Sequence, residues 1–324
     1  MDAVPGCFVR CGEPTAILTH VAAGERITVS IEGRALSLSN LGKVLYPETG
    51  FTKAEVIDYY TRIAPVLLPH LRDRAATRVR FPDGVGGPSF FEKNAPSHTP
   101  DWVRTVTLPA PGSTKNREVI SYVVVDDLPT LVWLANLAAL ELHVHQWRVD
   151  AAGKPGPADR LVLDLDPGAP AALTECARVA LLLRTELSRL GLTAVAKTSG
   201  SKGLQLYVGL QPTPVRQVHA YARALATRIA LAHPDSVVER MEQAARVGKV
   251  LIDWSQNAGA KTTVAPYSLR ARAHPTVSTP VDWGEVEAAA EGVPLSFTAA
   301  QVLRRVEERA DLFATLDARP AVLR

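Results

Sequence analysis

Leu161-Val-Leu-Asp-Leu-Asp-Pro167 sets two acids two residues apart in an otherwise apolar run that Pro167 stops. Side chains alternate across a strand, so Asp164 and Asp166 share one face, their Cα atoms ~6–7 Å apart, while Leu163 and Leu165 turn to the core. Two like charges on one face repel without a cation. The pair therefore reads as a metal site ahead of a loop cap.

Outward from this strand, helix and strand patterns alternate. A helix over 171–190 closes at Gly191, strands follow at 193–197 and 204–208, a helix runs from about Val215 to Ala232, and a strand covers 249–254. Nearer the N-terminus, Thr52 followed by Glu55 is a capping box that opens a helix through Tyr59, Tyr60, Ile63 and Val66 toward Pro69. Pro129 suits the first turn of a second helix, whose apolar residues Leu131, Leu134, Leu137, Ala138 and Leu142 keep helical spacing up to His143, His145 and Gln146. Thr298 with Gln301 opens a last helix. Such a mixture argues for an α/β or α+β sheet covered by helices.

With 324 residues, 47% of them hydrophobic and 21% charged, the chain can bury a full core and is not a disordered segment. One large bilobed catalytic unit is expected, its first ~35 residues an N-terminal extension. Lysine plus arginine exceed aspartate plus glutamate by only 36 − 33 = 3, which excludes a global positive field and leaves any nucleic-acid contact to local patches. Cys7, Cys11 and Cys176 make an odd set that suggests a reducing cytoplasm. Cys7 and Cys11 read as free thiols rather than half a zinc site, since no second pair stands at ligand spacing. No apolar run reaches the ~20 residues of a membrane span, and no leader pattern opens the chain.

A second apolar strand, Lys249-Val-Leu-Ile-Asp-Trp254, delivers Asp253 as its one acid, either a metal ligand or a cap on the next turn. Three such acids suit two divalent ions ~3.5–4 Å apart, and oxygen-only ligation favours Mg²⁺ or Mn²⁺ over zinc. Thr198-Ser-Gly-Ser-Lys-Gly203 between two strands is a plain hairpin turn or a phosphate cradle of N–H groups, hydroxyls and an ammonium. It is not a P-loop, which needs a longer glycine spacing and a following helix. Tyr267-Ser-Leu-Arg-Ala-Arg272 offers two arginines on one strand face, phosphate ligands or a solvated edge.

Together, Leu163-Asp-Leu-Asp-Pro167, Ser199-Gly-Ser-Lys-Gly203, Asp253-Trp-Ser-Gln-Asn257 and Ala265-Pro-Tyr-Ser-Leu-Arg270 resemble the polymerase domain of bacterial ligase D, of the archaeo-eukaryotic primase superfamily. The likeness runs from Asn40 to beyond Pro280; with no ligase or nuclease module after it, the chain looks like a stand-alone primase-polymerase of the Prim-PolC type. What the resemblance implies is an α+β fold: a mixed, primase-type (RRM-like) catalytic sheet flanked by helices, with an N-terminal α/β subdomain packed on it. It also implies that Asp164, Asp166 and Asp253 bind two Mn²⁺ or Mg²⁺ ions, and that Ser199, Lys202 and Arg270 hold a triphosphate. His143, in Glu141-Leu-His-Val-His145, matches a histidine near the nucleotide, although both histidines also suit a helix C-terminal cap. Phe90 and Phe91 match aromatics that stack on template bases; two adjacent aromatics in an extended segment cannot both face the core. Arg246 matches a mobile-loop arginine near the metals, or is an exposed loop charge. Lys43, Lys53 and Asn40 match residues that bind the 5′-phosphate beyond a gap, Lys53 alternatively being a solvated surface lysine.

Two positions depart from the family. Gln205 stands where a histidine is usual after the lysine-glycine pair, and as a nucleotide-site residue it can donate a hydrogen bond but cannot carry charge. Arg78-Val-Arg80 lacks the central lysine of a basic triplet. The expected activity is template-directed nucleotidyl transfer in short-gap or end-joining repair, with gapped or broken DNA and NTP or dNTP as substrates, ribonucleotides preferred, and a separate DNA ligase as partner in the bacterial cytoplasm, at the nucleoid. The competing readings are a catalytically weakened module that binds 5′-phosphate DNA ends, and a two-metal nuclease that needs no triphosphate cradle.

Overall fold

The structure is a computed structural model that describes residues 26–110 and 118–323; Cys7 and Cys11 lie outside them. Alternation along Pro155–Pro167 works as expected: Leu161, Leu163 and Leu165 are buried with the helices Leu173–Arg189, Val215–Ala232 and Trp283–Ala290, while Asp164 and Asp166 stay partly open on the opposite face. This strand lies centrally in a seven-stranded sheet. Its neighbours are antiparallel, Val250–Asp253 on one side and Leu204–Thr213 on the other, then Ala194–Thr198 and Pro280–Val281.

A six-stranded sheet runs Thr263–Val264, Ala139–Val144, Ala75–Arg80, Val119–Val124, Thr105–Pro109, with Phe90–Glu92 paired to Ala75–Arg80. The helices Lys53–Leu71 and Leu128–Asn136 bury their apolar faces in its core. Thr52 caps the first of these through a complete capping box with Glu55. Pro65 and Pro69 lie inside that helix, so it runs past its expected stop. The stretch expected to be an extension up to about residue 35 already holds structure from Arg26: strands Arg26–Ile31 and Arg34–Ser39 form a hairpin whose Leu36 and Leu38 enter the same core. The result is an α+β fold in which the catalytic-sheet face away from the three long helices carries the short helix Thr315–Ala318 on Val162 and Tyr207 and also looks toward the second sheet. Tyr207 Oη donates across that gap to Thr263 Oγ1 at 3.0 Å.

Two expected elements differ. The helix begun at Pro129 ends at Asn136, and Ala138, at φ +57°, redirects the chain into the strand Ala139–Val144. Leu140, Leu142 and Val144 are therefore a two-residue repeat, and His143 and His145 do not cap a helix. Tyr267–Arg272 is not a strand either: Tyr267 has φ +65°, Arg272 N donates to Arg270 O at 3.0 Å in a tight turn, and a single bridge joins Leu269 to Val277. Among the described residues no helix is long and apolar enough to cross a membrane.

Candidate active site

Strand register builds the acid cluster. Asp164 stands opposite Asp253 on one neighbouring strand and opposite Gln205 on the other, and Gln205 stands opposite Lys197, so one cross-strand row reads Asp253, Asp164, Gln205, Lys197. Burial, then the charges of Asp166 and Asp253, push the Asp164 carboxyl up to about 7, and a hydrogen bond from Gln205 works the other way. Asp166 is raised too, chiefly by burial, while Arg246 at 3.9 Å pulls against the rise.

Asp253 caps the turn after its strand. Its Oδ1 accepts from Ser255 N at 2.9 Å and Ser255 Oγ at 2.6 Å, and its Oδ2 accepts from Gln256 Nε2 at 2.7 Å. A carboxylate oxygen has two acceptor sites, so only Oδ2 keeps one free. Among the described residues no three His, Cys, Asp or Glu side chains converge into a ready-made cation site. The donor set still fits a hard divalent ion: all ligands are oxygens, and Asp164 and the more open Asp166 are crowded at unfavourable charge that a cation would relieve. Asn257 completes this edge by pairing with the backbone of Val162, Val162 N to Oδ1 at 2.9 Å and Nδ2 to Val162 O at 2.7 Å.

Asp164 and Asp166 line a cleft of about 950 Å³ together with Phe91, His143, Ser199, Lys202, Gln205, Arg246 and Arg270. Against two lining acids stand six cations, Lys93, Lys202, Arg246, Lys261, Arg270 and Arg272. The Ser199–Gly203 turn needs its glycines, since a Cβ on Gly200 would collide with the Arg270 stem and one on Gly203 with the Leu165 carbonyl. Its N–H groups are not all offered to a ligand: Ser199 Oγ accepts from Ser201 N at 3.2 Å and Gly203 N at 3.1 Å. Lys202 is exposed at the tip.

Arg270 reaches this turn by donating from Nη1 to Ser199 O, and its Nε pairs with Glu141 Oε1 at 3.0 Å. Glu141 also accepts from Ala271 N at 3.0 Å and bonds His143 Nε2 at 2.9 Å. Burial alone would raise its carboxyl; His143 and Arg270 instead hold it down at about 2. His143 is itself lowered by burial, and its ring lies 6.3 Å from Phe91. His145 belongs elsewhere. Its Nδ1 faces Ala75 O at 2.9 Å and its ring packs on Trp147 outside the cleft, burial lowering it to about 4. Phe90 and Phe91 are both exposed on a short edge strand; Phe91 lines the cleft, while Phe90, next to it in the strand, does not.

The second cationic group sits at the start of the Lys53–Leu71 helix. Lys53 is no solvated lysine: it is 6% exposed, and its ammonium donates to Ser39 O at 2.6 Å. Burial, helped by the charges of Lys43 and Arg80, lowers it to about 8. Lys43 is exposed and paired with Asp83 at 2.8 Å. Asn40, exposed at φ +53°, turns the chain so that its carbonyl accepts from Lys43 N at 3.0 Å.

Sequence reasoning passed over Glu141, Asn257 and Lys197. A strand reading of 139–144 would have put Glu141 beside His143, and a lysine ending the small apolar run Ala194–Lys197 was a visible anomaly.

The family model described as "LigD, primase-polymerase domain" matches residues 52–313. The multifunctional non-homologous end joining DNA repair protein LigD of Mycobacterium tuberculosis H37Rv is 43% identical over 295 residues, which cover 89% of this chain and 38% of that protein. LigD of Mycolicibacterium smegmatis is 45% identical over 282 residues, 87% of this chain and 36% of the relative. Bifunctional LigD of Bacillus subtilis is 32% identical over 276 residues, 85% and 43%. The chain thus spans about two fifths of these relatives' length. A solved structure, the polymerase domain of Mycobacterium tuberculosis ligase D in complex with DNA, superposes with a TM-score of 0.82 at 42% identity, covering 88% of this chain and 99% of that one.

Proposed function

The chain belongs to the LigD primase-polymerase domain family, and on that premise we propose that it is a template-directed nucleotidyltransferase that fills short gaps or extends ends in break repair. The observation that carries the reading is one cleft lined by two neighbouring acids, Asp164 and Asp166, with six cations around them. A triphosphate needs both, cations for its charge and carboxylates for the ions that accompany it.

Asp164, Asp166 and Asp253 would hold two Mg²⁺ or Mn²⁺ ions, which when bound activate an attacking hydroxyl and stabilise the leaving pyrophosphate. To take part, Asp253 uses its free Oδ2 position or lets go of Gln256. Arg270, Lys202 and the Ser199 turn bind the triphosphate. Glu141 keeps Arg270 and His143 facing the nucleotide, and Arg246 stands ready beside Asp166. Phe90 and Phe91, being exposed, stack on template bases. Lys53, with Lys43 and Asn40, receives the 5′-phosphate across the gap; an ammonium buried beside two other cations, Lys43 and Arg80, suits an arriving anion. Ribonucleotide preference, a single catalytic unit and a separate ligase complete the reading.

The test is a primed, gapped duplex bearing a 5′-phosphate, offered ribo- and deoxyribonucleotides in Mg²⁺ and in Mn²⁺. Extension that is faster with ribonucleotides supports the proposal. Retention without extension would mark a weakened end-binding module, the reading favoured by neutral Gln205, and shortening of the primer would mark a nuclease.

A further inference from the structure

Lys197 is fully buried in the catalytic sheet and forms no ion pair with any described carboxylate. Its Nζ has two side-chain partners, Gln205 Oε1 and, at 2.6 Å, Ser278 Oγ, and it lies 5.5 Å from the centre of the Tyr207 ring. Ser278 gives its own proton to Thr198 O at 2.9 Å, so toward Lys197 it only accepts. The Gln205 atom that faces it is the carbonyl oxygen, which accepts from Nζ, so the lysine donates to both of its side-chain partners. The NH₂ end is left to the opposite side, where the neighbour across the strands is Asp164 and the space is the cleft.

We propose that Lys197 is a positioning residue for the nucleotide site: by occupying the Gln205 carbonyl it fixes the amide so that donors, never an acceptor, face Asp164 and the arriving triphosphate. This rests on the nucleotidyltransferase reading. A glutamine left free flips at little cost, and half its orientations would present a carbonyl oxygen to two carboxylates and a polyphosphate. Held by Lys197, it becomes a one-sided donor without carrying charge.

The test is calorimetric titration of GTP with Mg²⁺ onto the full chain bound to a gapped duplex, with cytosine as templating base and a dideoxy-terminated primer, so that binding is read without chemistry. Lys197→Met should weaken GTP about tenfold, the size of one hydrogen bond to a charged group, while duplex affinity stays within about twofold. Gln205→Leu should lose a similar factor, and the double variant no more than the worse single one, because both act through one amide. Lys197→Gln, which keeps an N–H for the Gln205 carbonyl, should recover most of the affinity. Wild-type binding by Lys197→Met, or losses that multiply in the double variant, would overturn the positioning role alone. A wild type that binds no GTP overturns the proposed function, and this role with it. If Lys197→Met loses its cooperative melt, Gln205→Glu decides: with donors facing the cleft, a carboxylate there must bind GTP more weakly than Gln205→Leu does, and equal or tighter binding overturns the proposal.

Discussion

Lys53→Met should remove a pH dependence of stability and, with it, the grip on a phosphorylated end. The ammonium drops from an ordinary 10.5 to about 8 in the fold, mainly through burial. At about 1.4 kcal/mol per tenfold change in proton affinity, this bounds the cost of keeping it charged at about 3 kcal/mol, and partial solvent screening leaves ~1–2. A lowered lysine pKa means that the unfolded chain binds more protons between 8 and 10.5, so wild-type stability contains the full cost below pH 8 and recovers it as pH rises toward 10.5. Methionine fills similar volume without the charge. The lost bond to Ser39 O is common to every pH, so the informative quantity is how the stability gap between variant and wild type changes between pH 7 and pH 10. It should move by ~1–2 kcal/mol in favour of wild type, which denaturant melts at the two pH values resolve. At pH 7 the wild type should bind a 5′-phosphorylated gap at least about tenfold tighter than a 5′-hydroxyl one, as expected for a dianion meeting charge-assisted donors. That preference should decline as pH rises past 8, and Lys53→Met should lose most of it. An unchanged gap refutes the buried, titrating lysine, and equal binding of the two ends refutes the phosphate site.

Asp164→Ala and Asp166→Ala should each abolish primer extension with duplex affinity kept within about threefold at fixed salt, since phosphate contacts supply most of that affinity; extension by either variant removes the two-metal reading. Glu141→Gln should raise the nucleotide KM about tenfold by loosening Arg270 and His143 together, and an unchanged KM shows that neither needs it. The Glu141 carboxyl is held below its ordinary 4.5, so its stabilisation is complete above 4.5 and fades as pH falls toward 2; Glu141→Gln should flatten acid unfolding in that window. Asn257→Ala leaves the buried N–H and C=O of Val162 unpaired and should cost ~2–3 kcal/mol, visible as a lower denaturant midpoint at unchanged slope.

What was legible follows from which interactions are local. Two-residue alternation in Leu161–Asp166 placed both acids on the open face, and Val215–Ala232 matched a helix of those bounds because apolar spacing and Pro214 mark it. His143 was misplaced because helical spacing from Leu131 runs on by chance into the strand at Ala139; the break is a positive φ at Ala138, a residue that carries no warning of one. Arg270 was assigned a strand for want of the turn at Tyr267. The row joining Asp253 to Lys197, and the burial of Lys53 under Ser39, depend on register and packing between segments far apart in the chain, which no local pattern reports.

Gly203 has a consequence for how such a site can change over time. With no room for a side chain between the turn and the Leu165 carbonyl, the Ser199–Gly203 turn and the strand bearing both acids are ratcheted together at a fixed spacing. Mutation cannot retune the enzyme by sliding one against the other, because the smallest step, alanine, already overlaps backbone. Variation is steered instead into side-chain identity along the rows that cross the sheet, such as the one that sets Gln205 beside Lys197. The lineage's freedom lies in swapping hydrogen-bond partners across strands, and residues 197 and 205 are expected to change as a pair.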